Sequence, residues 1–151
     1  MIKNILTYNN EEDKKILNQK SQEVINIEEI QSLIQDLKDT LHSIKNAKGL
    51  SAIQIGENKK VCICSWGGKE ILMINPIITR ERGKQKYLEG CLSVPGVYKE
   101  VERAQKVWCT YLDENGKEQE IADGGRMSNI IQHELDHFNG NCKIYEQGDK
   151  E

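Results

Sequence analysis

Several things are scarce in this 151-residue chain, and each shortage narrows the reading. No apolar run approaches the roughly 20 residues of a membrane-spanning helix, so no membrane association is expected. Met1 to Asn10 lacks the architecture of a signal peptide, and a cytoplasmic location is the expectation. Proline occurs twice, at Pro76 and Pro95, and there is no low-complexity linker or internal repeat. One domain over 1–151 is therefore expected, of a length that can bury roughly 70% of its unfolded surface. The polar end, 146–151, is expected to be a loose tail. Aromatic residues make up 5% of the chain, so the core must be mostly aliphatic. Basic and acidic residues are mixed, with a net charge of −3. Without clustered Lys and Arg there is no nucleic-acid footprint and no DNA partner is expected, although transient contact with a large RNA-containing machine is not excluded. Five cysteines, an odd number without framework spacing, fit a reducing compartment.

Two helical patterns and several strands can be read from what is present. Ile27, Ile30, Leu33, Ile34, Leu37, Leu41 and Ile44 recur at three- and four-residue steps, which predicts an N-terminal amphipathic helix over Glu28–Lys48, stopped by Gly49. Strand-like runs follow at Lys60–Trp66, Ile71–Thr79 and Lys106–Leu112. Asp113-Glu114-Asn115-Gly116 is a hairpin signal leading into Lys117–Ala122. A second helix is predicted over Met127–Asn139, with Met127, Ile130, Ile131, Leu135 and Phe138 along one side and Gly140 as its end. The expected class is α+β, antiparallel strands packed around a C-terminal metal-binding helix.

That second helix contains His133-Glu134-Leu135-Asp136-His137. Four residues advance a helix by roughly 400°, so the two imidazoles stand one above the other and can share an ion. Glu134 points roughly 100° away and can reach a water without being a ligand. A catalytic site usually takes a third protein ligand and keeps an open position. Cys91, in Glu89-Gly90-Cys91-Leu92-Ser93, is a candidate, and its thiolate suits zinc or ferrous iron. The ion would activate a water whose proton Glu134 takes. A cysteine is nevertheless more often a small core residue than a ligand. Of three histidines only His42 lies outside the motif, on the polar side of the first helix, where it is expected to be exposed.

Three segments together resemble the peptide deformylases. Glu89-Gly90-Cys91-Leu92-Ser93 matches that family's E-G-C-L-S motif, and Gln132-His133-Glu134-Leu135-Asp136-His137 matches its Q-H-E-x-D-H motif. Gly49-Leu50-Ser51-Ala52-Ile53-Gln54 is similar to its G-x-G-x-A-A-x-Q segment. The resemblance implies removal of the formyl group from the N-terminal formyl-methionine of newly made polypeptides, releasing formate. It implies metal ligation by Cys91, His133 and His137 and acid–base catalysis by Glu134. Gln54 and the backbone N–H of Leu92 would serve the oxyanion, and Gly49 would let substrate backbone approach. Glu89 and Arg103 would form an ion pair shaping the site. The implied metal is ferrous iron, with zinc, nickel or cobalt as substitutes.

The chain departs from the family pattern in places. Ala47 and Ser51 replace a glycine and an alanine of the first motif, Tyr98 stands where many members have arginine, and Arg126 takes a usually apolar position. Some members continue into a C-terminal helix that docks on the ribosome. This chain stops soon after Tyr145, so ribosome contact is not carried over. Three other readings compete. A zinc peptidase would want a downstream His or Glu ligand, with Glu146 as the candidate. A deformylase-like binder would lack activity. A structural metal site would need a fourth ligand, such as Cys109 or Cys142.

Overall fold

The computed structural model describes residues 1–145; the expected loose tail, 146–151, lies outside the described residues. Among the described residues the main helices and strands follow in the order α1 Glu11–Leu17, α2 Gln31–His42, β1 Gly49–Ser51, β2 Val61–Trp66, β3 Lys69–Arg82, β4 Gln85–Cys91, β5 Val94–Arg103, β6 Lys106–Leu112, β7 Glu118–Gly124 and α3 Gly125–Phe138. Strands β1-β2-β3-β6-β7 form one antiparallel sheet in that order, and β4-β5 form a separate hairpin. This is the α+β arrangement anticipated from the sequence.

Along β2 and the first half of β3 the sheet is covered on both faces. Along β2, Val61 and Ile63 join the cluster built by Leu33, Ile34, Leu37 and Leu41 of α2. Cys62 and Cys64 alternate to the other face, among Met127, Ile130, Ile131 and Phe138 of α3. Strand β3 does the same with Leu72 and Ile74 against Ile71 and Met73. Side chains alternate across a strand, and double coverage explains why these runs are apolar without a break. Each fully buried aliphatic side chain contributes about 1.5–3 kcal/mol.

Several boundaries differ from those the sequence predicts. The first helical pattern splits into a 3-10 turn, Ile27–Ile30, and the α-helix Gln31–His42. The chain leaves the helix at Ser43, and Asn46 adopts a left-handed φ of 64°. That turn lets Gly49 open β1 rather than close a helix. Strand β3 reaches Arg82, bending at bulges around Pro76 and after Ile78, where a proline is tolerated. Helix α1 was not expected. It is capped by the Asn10 side chain accepting from Asp13 N–H, begins with three acidic residues, and buries only Leu17. The Asp113–Gly116 turn forms as anticipated, with Asp113 Oδ1 accepting from Asn115 and Lys117 N–H. No described helix is long and apolar enough to cross a membrane.

Candidate active site

Three elements that are distant in sequence deliver the candidate residues. Helix α3 presents His133, Glu134 and His137; the end of β4 presents Cys91; and the 3-10 turn Ala52–Ile55 after β1 presents Gln54. The donor atoms of Cys91, His133 and His137 lie within 4.8 Å of one another. Cys91 Sγ is 3.4 Å from His137 Nε2. Tetrahedral bonds of roughly 2.3 Å to sulfur and 2.0 Å to nitrogen would put these two atoms about 3.5 Å apart. The donor set and its spacing therefore fit one divalent ion. Among the described residues neither Cys109 nor Cys142 adds a sulfur to the group, so the structural four-ligand reading finds no support.

A polar net on the protein side of α3 orients these donors. His133 Nδ1 lies 2.9 Å from Glu89 Oε1, which turns its other nitrogen towards the cluster. The same carboxylate takes a two-pronged contact from Arg103, at 2.8 and 2.9 Å, and a hydrogen bond from Asn129. The third prong of Arg103 reaches Asp136 at 2.6 Å. Gln132 ties α3 to the end of β5: its Oε1 accepts from Ala104 N–H and its Nε2 donates to Ala104 O, both at 2.9 Å. The anticipated Glu89–Arg103 pair is thus present and buried.

Electrostatics set the protonation of each group. Burial pushes Glu89 up, but Arg103 and His133 overcome it and hold the carboxyl at about 2. His137 is held well below the usual histidine range by burial and by the positive charge of His133 and Arg103. A neutral imidazole is the form that ligates a metal. Its Nδ1 has no hydrogen-bond partner among the described residues. Glu134 is pushed up to about 7 by burial, against the pull of His133 and of the Ser51 hydroxyl. A carboxyl poised near neutrality can both take and return a proton.

Ser51, a departure from the family pattern, acquires a clear place. Its hydroxyl donates to Glu134, with Oε1 at 2.9 Å and the backbone oxygen at 3.0 Å. Gln54 is fixed from behind, because its Oε1 accepts from Ser51 N–H at 2.9 Å. Its amide donates to Ser93 Oγ at 3.0 Å and faces Cys91 Sγ at 3.7 Å. The close approach at Gly49 is to Glu134 itself: a Cβ there would sit 2.5 Å from Glu134 Oε2. Leu92 lies in the turn between β4 and β5.

A cleft of about 280 Å³ opens onto these groups, lined by Gly49, Gln54, Cys91, Leu92, His133 and Glu134. His137 lies behind, fully buried. Tyr98 and Arg126 both sit at the cleft wall. The Tyr98 ring covers Gly90, where a Cβ would come within 2.7 Å of it. Arg126 lies over Trp66 and Tyr87 and donates to Leu88 O and Asn129 Oδ1. His42 is exposed, as expected, but meets Glu70 at 2.7 Å. No role was expected for Ser93, Asn129 or Asp136; the signal available was that Ser93 and Asp136 lie within the two motifs and Asn129 one helical turn before His133.

Comparisons with known proteins point to one family. The family model described as polypeptide deformylase matches residues 2–149. The chain is 40% identical over 147 residues to a peptide deformylase of Aquifex aeolicus, covering 93% of this chain and 84% of that protein. It is 36% identical over 127 residues to peptide deformylase 1 of Vibrio vulnificus, covering 82% and 76%. The crystal structure of a peptide deformylase from Legionella pneumophila superimposes with a TM-score of 0.86 at 36% identity, covering 93% of this chain and 83% of that one. A deformylase from Synechococcus elongatus in complex with actinonin gives 0.85 at 33% identity, covering 97% and 84%. With the family model, these relatives and the fold in agreement, this chain belongs to the peptide deformylase family.

Proposed function

We propose that Cys91, His133 and His137 hold one divalent ion, and that Glu134 carries the proton while the N-formyl group is hydrolysed from newly made polypeptides. The hydrolysis is the reaction of the family; the residue roles are our reading. The observation that carries them is the convergence of one sulfur and two imidazole donors beside a buried carboxyl at the floor of a cleft. A bound divalent ion supplies Lewis acidity towards water and the formyl carbonyl. The chain's own residues do the rest. Ser51 aims the Glu134 carboxyl, which accepts a proton and returns it to the leaving amine. Gln54 offers its amide N–H, and Leu92 its backbone N–H, to charge that develops on the formyl oxygen. Burial keeps the His137 imidazole in its neutral, ligating form, and the bond to Glu89 holds the His133 ring with its other nitrogen towards the cluster.

Ferrous iron is the metal we assign, with zinc, nickel or cobalt as substitutes. Sulfur and nitrogen donors suit all four, and five free cysteines suit a reducing cytoplasm. We read the chain as one deformylase domain acting on formyl-methionyl peptides, with Tyr98 and Arg126 setting preference beyond the first residue.

Formate release from a formyl-Met tripeptide, measured anaerobically with ferrous iron, tests this reading. Glu134→Ala should lower kcat/KM by on the order of 10²–10⁴-fold without loss of bound metal. Cys91→Ser should lose the metal itself, read by metal analysis of the purified protein. Full activity in the first variant, or full metal content in the second, would sink the assignment.

A further inference from the structure

The sequence shows no run of basic residues, yet the fold assembles one. Register pairs Arg80 of β3 with Trp108 of β6, and Arg82 with Lys106. The Arg80 guanidinium carbon lies 4.4 Å from the Trp108 ring centroid, Lys106 Nζ lies 4.9 Å away, and the Arg82 guanidinium lies 5.7 Å away. Three cations therefore share one indole.

Among the described residues no helix covers the part of the sheet that carries this patch. Inward-facing Val107, Cys109 and Ile121 are buried, the last two in the cluster with α3. Lys106, Trp108 and Thr110 alternate to the opposite face, which is the α2 side. Leu112 on that face packs against the cluster built around α2. Trp108 lies about 13 Å further along the strand, past the cover. Strand β3 contributes the exposed Ile77, Arg80 and Arg82 beside it.

Counter-charge is missing there. Among the described residues no carboxylate lies within ion-pairing distance of Arg80, Arg82 or Lys106. Glu81 alternates to the other face, and Asp123 there pairs with Lys69. The nearest acid by register is Glu120, opposite Thr110 rather than Trp108. Three like charges repel one another; here the ring quadrupole offsets part of that repulsion. Guanidiniums lying over an aromatic face keep their N–H edges turned outward, an arrangement that suits phosphate better than a flexible ammonium does.

We propose that the Trp108 face is a docking surface for RNA, gripping backbone phosphates through Arg80, Arg82 and Lys106. A net charge of −3 rules out a general electrostatic attraction, so the contact has to be local. The family's substrates are newly made polypeptides, which emerge beside RNA. The patch lies on the sheet face opposite α3, so a docked RNA leaves the cleft accessible. The proposal does not depend on the metal assignment.

Fluorescence anisotropy of a labelled single-stranded RNA of about 12 nucleotides, titrated with the intact protein at several salt concentrations, tests it. Binding at low salt is expected, with log K falling against log salt at a slope of about −2 for three phosphate contacts. The double charge reversal Arg80→Glu with Arg82→Glu should weaken binding by at least about tenfold and flatten the slope. Trp108→Leu, which keeps all three cations, should weaken it less. Formate release should be unchanged in both variants, which shows that they are folded. The proposal is overturned by no salt-dependent binding, by an affinity indifferent to the double reversal, or by a polyglutamate peptide that competes as well as unlabelled RNA. The last result would assign the face to an acidic protein.

Discussion

Helices α2 and α3 are of similar length and pack on opposite faces of one sheet, yet they bury different chemistry. Against the sheet α2 turns Leu33, Ile34, Leu37 and Leu41, with Thr40 as its only buried polar residue. Helix α3 buries Ser128, Asn129, Gln132, His133, Glu134 and His137 together with its apolar stripe. Buried polar groups cost free energy unless they are hydrogen-bonded. Glu89, Ala104 and Ser51 answer all of them but His137, whose Nδ1 has no partner among the described residues. One face of the sheet is thus devoted to holding the fold, and the other holds a reactive site at the expense of a simpler core.

Substitutions can break that contrast from either side. The largest effect on stability is expected on the α2 face: Leu37→Ala, at a fully buried position, should cost about 2–5 kcal/mol in denaturant unfolding. Its kcat/KM per folded molecule should stay unchanged; a matching fall in activity would mean the two faces are not separate. On the α3 face, Gly49→Ala should do the reverse. The added Cβ would displace the Glu134 carboxylate, lowering kcat by about 10²-fold, while the melting temperature barely moves.

Acid should act on the α3 face first. The Glu89 pKa is lowered from the usual carboxylate range to about 2. Its contribution is therefore complete above about pH 4.5 and is lost as pH falls towards 2. Arg103→Gln should remove much of this depression and move the acid-unfolding midpoint upward. An unmoved midpoint would show that the net around Glu89 adds no stability. The smallest effect belongs to neither face: His42→Ala removes an exposed pair with Glu70 and should change stability by less than about 0.5 kcal/mol.

The same contrast governs what could be read from sequence. The reactive side of α3 was legible because its chemistry sits in contiguous motifs, Glu89–Ser93 and Gln132–His137, whose spacing is meaningful on its own. The α2 stripe was legible as a periodicity, but its end was not. Ile44 continues the pattern, while the left-handed backbone at Asn46 has no periodic signature. Helix α1 buries a single residue and so shows no stripe. Strand β1 is three residues long, below the length at which alternation can be seen. Ser51 read as a small substitution, because its bond to Glu134 spans 83 positions. The grouping of Arg80, Arg82 and Lys106 depends on strand register past two bulges, which no local pattern encodes.

The β4–β5 hairpin shares no backbone ladder with the main sheet, and this has a consequence in time. The ribosome makes the hairpin, with Cys91, well before α3, which carries His133 and His137. Nothing emerging earlier can complete the three-donor group. A metal held by all three donors would therefore be captured late, once α3 has docked and Glu89 has clamped hairpin and helix together.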